Sequence, residues 1–327
     1  MRKSDKYMIG AIVLCLSIFL FAYESHAASQ DPPFSTSFTG PQGTVASGWT
    51  DATSPFAYWG GGECYGTCTH TWVNVPSITS AANNPLGTGN GFRSWLYGDG
   101  LTVAAYDINI SNYSNNFSPA QKELWIRWYV RYQSGIIGTG LYYQKLLYIR
   151  TASSNSVDVI AELYNKGGFC INAQATANPV AASSTTGGWN TMYPTAISDG
   201  TWHCLEIHIK MDTNGTVGGL TANGIAQYWL DGVNYINNTS VNFSNGDTVA
   251  QQGWTWFDFP GNYSYGSSTP GLNTSGNEMY MDWDDLDVVN ITPAGRDASG
   301  NAMIGPLGGT VNLPPATPTG VTVQILP

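Results

Sequence analysis

Between Trp202 and Met211 apolar and polar positions alternate. Leu205, Ile207, Ile209 and Met211 fall on one side of an extended chain, and Cys204, Glu206, His208 and Lys210 on the other. This predicts a strand with one face in a core and three ionisable side chains in file on its second face. The stretch 123–132 repeats the design. Leu124, Ile126, Trp128 and Val130 form one face; Trp125, Arg127, Tyr129 and Arg131 form the other. Further β-prone runs are predicted at 34–38, 71–75, 92–97, 101–110, 143–151, 157–164, 169–174, 226–230, 233–243, 254–259 and 278–291, with Gly98-Asp-Gly100 as a hairpin turn. Helical periodicity is nearly absent; Ser118-Pro-Ala-Gln-Lys122 reads as one capped turn. A dozen strands punctuated by turns, with no internal repeat, imply an all-β, two-sheet antiparallel jelly-roll sandwich over residues 28–291.

The ends differ from this body. Arg2, Lys3 and Lys6 precede an apolar run from Ala11 to Tyr23, and Ser25-His-Ala27 offers a small-x-small site, so residues 1–27 read as a signal peptide of an exported protein. No later segment suits a membrane span, which excludes a membrane partner after cleavage. Residues 292–327 are rich in Pro and Gly and read as a tail without a site, ending in the β-prone Val321 to Leu326.

Four cysteines follow the leader: Cys64, Cys68, Cys170 and Cys204. In an exported chain an even number reads as two disulfides. Cys170 with Cys204 on neighbouring strands, and Cys64 with Cys68 around a small loop, is the favoured pairing; metal binding by Cys64, Cys68 and His70 is the alternative.

Beyond the leader, nine Lys and Arg stand against twenty Asp and Glu, a balance that makes nucleic acid and anionic membranes poor partners. Gly, Ser, Thr, Asn, Tyr and Trp are abundant, and all 12 Trp lie after residue 27. Aromatic faces stack on sugars and amides bond hydroxyls, so a polysaccharide is the partner this composition suits. Along 123–132, side chains of one face recur about every 7 Å, close to the size of a sugar ring. Arg93, Arg127, Arg131, Lys145, Arg150 and Lys210 sit in predicted strands, where together they would make a basic groove on an acidic protein.

Asp199-Gly-Thr-Trp202, Tyr228-Trp-Leu-Asp-Gly232 and Met281-Asp-Trp-Asp-Asp-Leu-Asp-Val288 resemble motifs of the concanavalin A-like lectin and glucanase superfamily, jelly rolls with a curved ligand-bearing sheet. Arg127-Trp-Tyr-Val-Arg131 and Glu206-Ile-His208 are similar to the R-x-E-x-R and Q-I-H strands of jelly-roll polysaccharide lyases, with Tyr129 in place of the acid and Glu206 in place of the glutamine. The resemblance implies a carbohydrate-recognition face of Trp125, Arg127, Tyr129, Arg131, Glu206, His208, Lys210, Tyr228, Arg93 and Lys145. Binding without chemistry is the first reading. In the second, β-elimination from a uronic-acid polymer, Arg127 and Arg131 neutralise the carboxylate, His208 takes the C5 proton, and Tyr129 or Tyr228 meets the leaving oxygen. A third is glycoside hydrolysis by Asp282 and Asp284, since hydrolases need two carboxylates about 5 to 9 Å apart. No cofactor is required, and the acids of the last strand suit structural calcium. Oligomeric state is not legible.

Overall fold

The computed structural model describes residues 31–36, 43–44, 63–64, 77–79, 91–96, 107–109, 113–134, 141–153, 157–164, 168–175, 197, 199–219, 221–259, 262–265 and 279–308. In chain order the strands are β1 (Phe34–Thr36), β2 (Gly43–Thr44), β3 (Glu63–Cys64), β4 (Ser77–Thr79), β5 (Gly91–Leu96), β6 (Asp107–Asn109) and β7 (Tyr113–Gln121). They continue with β8 (Glu123–Tyr132), β9 (Leu141–Thr151), β10 (Val157–Tyr164), β11 (Gly168–Ala175), β12 (Trp202–Lys210) and β13 (Gly224–Leu230). The last are β14 (Val233–Val241), β15 (Trp254–Phe259), β16 (Asn262–Tyr265), β17 (Met279–Val289), β18 (Gly295–Arg296) and β19 (Ala302–Met303).

Nine strands make the larger sheet, in the order β14-β13-β12-β8-β17-β5-β4-β2 with β1 also on β17. Eight make the smaller, in the order β11-β10-β9-β16-β6-β3 with β15 joining β9 to β7. Every pairing is antiparallel, including the separate β18–β19 pair. The molecule is thus an all-β sandwich of two antiparallel sheets around a shared core.

The alternation read from the sequence decides which face each strand buries. Leu124, Ile126, Trp128 and Val130 of β8 and Leu205, Ile207 and Ile209 of β12 are fully buried. They share one core with Ile149, Phe257 and Phe259 of the smaller sheet. Trp128 and Trp283 both meet Phe259 edge-on, at 6.0 and 5.4 Å between ring centroids. Such contacts between large rings add to the stabilisation that burial alone supplies.

Several expectations are corrected. Residues 118–121, anticipated within a helical turn, complete β7, where Trp254 of β15 pairs with Gln121. Cys204 is a buried free thiol. Its strand lies between β8 and β13, whereas Cys170 belongs to β11 in the other sheet, so the alternation that suggested the pair does not make the two strands neighbours. Cys68 and His70, like the signal peptide, the predicted strand at 71–75 and the end of the tail, lie outside the described residues.

Candidate functional site

The two strands singled out by their polar faces are hydrogen-bonded neighbours. Register sets Arg131 opposite Trp202, Tyr129 opposite Cys204, Arg127 opposite Glu206, Trp125 opposite His208 and Glu123 opposite Lys210. All of them belong to the outer face of the larger sheet, away from the core. On β13 the outer residues are Gln227 and Trp229, which pair with His208 and Glu206. Tyr228 is 1% exposed and belongs to the core cluster, so its expected place on the recognition face is corrected. The sequence held the signal: Leu230 is an obvious core residue, and Tyr228 shares its side of the strand. Arg93 comes to this sheet on β5. Lys145 does not; it belongs to β9 of the smaller sheet, in register with Glu162.

The outer face has three parts. At one end, Asp282 of β17 lies between Arg131 and Arg93. Its Oδ1 accepts from Arg93 Nε at 2.6 Å, and its Oδ2 accepts from Arg93 Nη2 at 3.0 Å, from Arg131 Nε at 2.9 Å and from Arg131 Nη2. Asp282 is completely buried, while the two arginines keep 13% and 14% of their side-chain exposure. Asp282 thus joins β5 and β8 through one shared carboxylate. The Arg131 guanidinium also lies 5.2 Å from the ring of the half-buried Trp202, a cation–π contact. Asp282 is thereby saturated, and Asp284, also fully buried, accepts the Asp285 amide at 2.8 Å. Neither acid of the expected hydrolase pair is exposed to solvent. No group of three or more His, Cys, Asp or Glu suited to a metal occurs among the described residues.

At the other end, a chain of side-chain hydrogen bonds crosses four strands. Glu123 Oε1 meets His208 Nε2 at 2.9 Å, His208 Nδ1 meets Gln227 Oε1 at 2.6 Å, and Gln227 Nε2 donates to Asn237 Oδ1 at 2.8 Å. The His208 ring stacks on Trp125, with centroids 4.1 Å apart and planes 5° from parallel. Lys210 Nζ reaches Glu123 Oε2 at 3.4 Å, and the Glu123 carboxyl is held below its ordinary value chiefly by its bond to His208. With an acceptor oxygen at each nitrogen, His208 has no lone pair directed at a ligand. Here it is a positioned, 5% exposed group.

Between these ends the face is closed by the chain itself. Past β17, residues 292–308 fold back over β8, β12 and β13, so this part of the expected free tail is docked. Trp125 Nε1 donates to Ala302 O at 3.1 Å and Arg127 Nη1 to Gly305 O at 3.3 Å. The Glu206 carboxylate accepts the consecutive amides of Ile304 at 2.6 Å and Gly305 at 2.8 Å, and Tyr129 Oη accepts the Leu307 amide at 2.5 Å. Trp229 Nε1 donates to Asp297 Oδ2 at 2.9 Å; Asp297 also accepts the amides of Ser299 and Asn301, which closes the β18–β19 turn. Beneath this strap Trp125, Arg127, Tyr129, Glu206 and Trp229 are 7% exposed or less.

Burial alters the strap-covered groups. The Glu206 carboxyl is pushed up to about 7 by desolvation, against the opposing pull of the two amides and Arg127. Desolvation likewise raises the Tyr129 phenol, with help from the neighbouring Cys204, and lifts the Cys204 thiol to about 12 with help from Glu206. Asp287, 3.6 Å from Arg127 Nη2, and Asp285 are both raised by burial, with Arg127 working the other way.

Chemically, the Asp282 end sets two guanidinium groups and an indole side by side, and the covered centre offers hydrogen-bond donors and acceptors. Gln227, Trp229, Asp287, Glu123 and the strap were not anticipated as site components. No protein-family model matches the chain, and no curated protein matches it. Among solved structures it is similar to a mutant of the alginate lyase Aly36B in complex with alginate trisaccharide, at 16% identity and a TM-score of 0.46, covering 79% of this chain and 99% of that one. The endo-beta-1,4-glucuronan lyase from the fungus Trichoderma reesei follows at 10% identity and 0.38, covering 69% and 90%. Alginate lyase vAL-1 from Chlorella virus shows 16% identity and 0.38, covering 70% and 89%.

Proposed function

We propose that this is an exported protein that binds an acidic polysaccharide on the outer face of its larger sheet, entering at the end that carries Arg93, Arg131 and Trp202. The observation that supports this is the sharing of one buried carboxylate, Asp282, by two partly exposed arginines, one of them against an indole. Guanidinium groups recognise carboxylates in a bidentate way, so a uronate carboxylate suits this end while its ring lies on Trp202. A second reading, β-elimination, is favoured by one fact: Arg127, Tyr129 and His208 stand on the same face of two adjacent strands. Cleavage would require His208 to exchange one of its present partners for the substrate.

Alginate and glucuronan separate the two readings. Retention of the protein on an immobilised polymer, without new absorbance near 235 nm, is the result expected of a binder; unsaturated uronate product establishes the lyase. Arg131→Ala lowers retention at least several-fold, whereas Tyr228→Phe, altered on the core side, leaves it unchanged. Failure of the intact protein to bind either polymer overturns the proposal.

A further inference from the structure

The strap meets the outer face in a way unlike the rest of the fold. A strand is held by a ladder of backbone bonds, yet residues 302–307 are held largely by side chains of the sheet bonding to strap backbone: Trp125 and Arg127 donate to its carbonyls, and Glu206 and Tyr129 accept from its amides. Two acceptors and three donors laid along one short segment are the pattern that hydroxyls and a carboxylate of a saccharide chain also present. Apart from Met303 the strap buries little apolar surface: Ala302, Ile304, Pro306 and Leu307 are only half-buried, and the β18–β19 ladder joins two residues on each side. The stretch that tethers it to β17 is exposed at Ile291 and Thr292. Segments with few buried apolar contacts open at lower free energy than the sheet beneath them.

We infer that residues 302–307 are an internal competitor of the polysaccharide, occupying the Trp125, Arg127, Tyr129 and Glu206 cradle until an incoming uronate chain displaces them. The inference rests on the binding reading above and adds the regulation of that site. A polymer captured at Arg131 and Trp202 extends along β8 toward Arg127 only by exchanging its own oxygens for those of Ala302 and Gly305. Apparent affinity is then reduced by the fraction of molecules in which the cradle is covered.

Gly305 is the place to perturb the equilibrium. It adopts φ 85°, a left-handed conformation, and its amide bonds Glu206. Proline there has no amide hydrogen and a fixed negative φ. The Gly305→Pro protein should bind alginate oligosaccharides roughly tenfold more tightly than the unaltered one. Independently, hydrogen exchange on the unaltered protein should show the Ile304, Gly305 and Leu307 amides losing protection when alginate is added, while β8 and β12 amides keep theirs. If alginate binds but those amides stay protected, the strap is a fixed wall and the competitor role is overturned, with binding at the Arg131 end intact. If neither protein binds alginate or glucuronan, both readings fall. A Gly305→Pro protein that fails to fold leaves the exchange experiment to decide.

Discussion

Glu206 is a carboxylate beneath a lid, and its titration should be visible in stability. Burial raises it from an ordinary 4.5 to about 7, so between these values the folded protein holds a proton that the unfolded chain has released. Unfolding free energy therefore falls as pH rises from about 4.5 to 7 and is level beyond, a loss on the order of 3 kcal/mol at most. The difference in urea stability between the unaltered protein and Glu206→Gln, taken from pH 4 to 9, should trace this step; a difference curve level in pH refutes it. His203 loses stability over an overlapping range. Burial opposes its protonation, but bonds to Asp231 and Asp199 raise it on balance, so its contribution fades as pH rises through that raised value. Both proteins carry it, and it cancels. Asp282 gives a second expectation at this scale. Asp282→Ala removes the buried acceptor that two guanidinium groups share, and should cost about 3 to 5 kcal/mol in denaturant titrations, the range for breaking a buried ion pair. The residue types of the face were legible because Arg127, Glu206 and His208 alternate with aliphatic neighbours. Which partners they choose was not, since the sequence sets no cross-strand register.

At the level of elements, β8 and β12 followed directly from period-two patterning, and their pairing follows from both having one wholly apolar face to bury. The error on β13 was one of parity, and it moved the recognition face from Tyr228 to Gln227 and Trp229. The β7 strand was lost behind Ser118-Pro119, because proline inside a strand argues against strand assignment. The strap was lost for another reason: its contacts are backbone groups bonded to side chains far away in sequence, and backbone groups are the same in every loop. Where strands meet at close range, glycine carries the constraint. Gly253 opens β15 at φ 121°, and a Cβ there would stand 2.5 Å from the Gln121 carbonyl oxygen at the end of β7. Gly253→Ala should lower stability by about 1 to 3 kcal/mol through backbone strain and displacement of the β7–β15 junction. A denaturation midpoint equal to that of the unaltered protein contradicts that geometry.

Across the whole molecule, fold class was readable from turn spacing and the absence of helical periodicity, because a two-sheet sandwich is the ordinary way for so many short strands to share a core. The closure of its outer face was not, since it depends on where residues 292–308 travel after β17. Charge acts at this largest scale too. The full chain carries a formal charge of −10, and the proposed partner is itself a polyanion. Long-range repulsion should then slow encounter, while Arg93 and Arg131 act only within contact distance. Repulsion reaches about 30 Å at 0.01 M salt but only about 10 Å at 0.1 M, so added salt should remove the barrier before it weakens the arginine contacts. The association rate of an alginate oligosaccharide, followed by tryptophan fluorescence in stopped flow, should therefore rise several-fold between 0.01 and 0.1 M salt. This is opposite in sign to a binder steered by a basic surface. A rate that falls steadily over that range would mean that the arginine end governs encounter as well as contact.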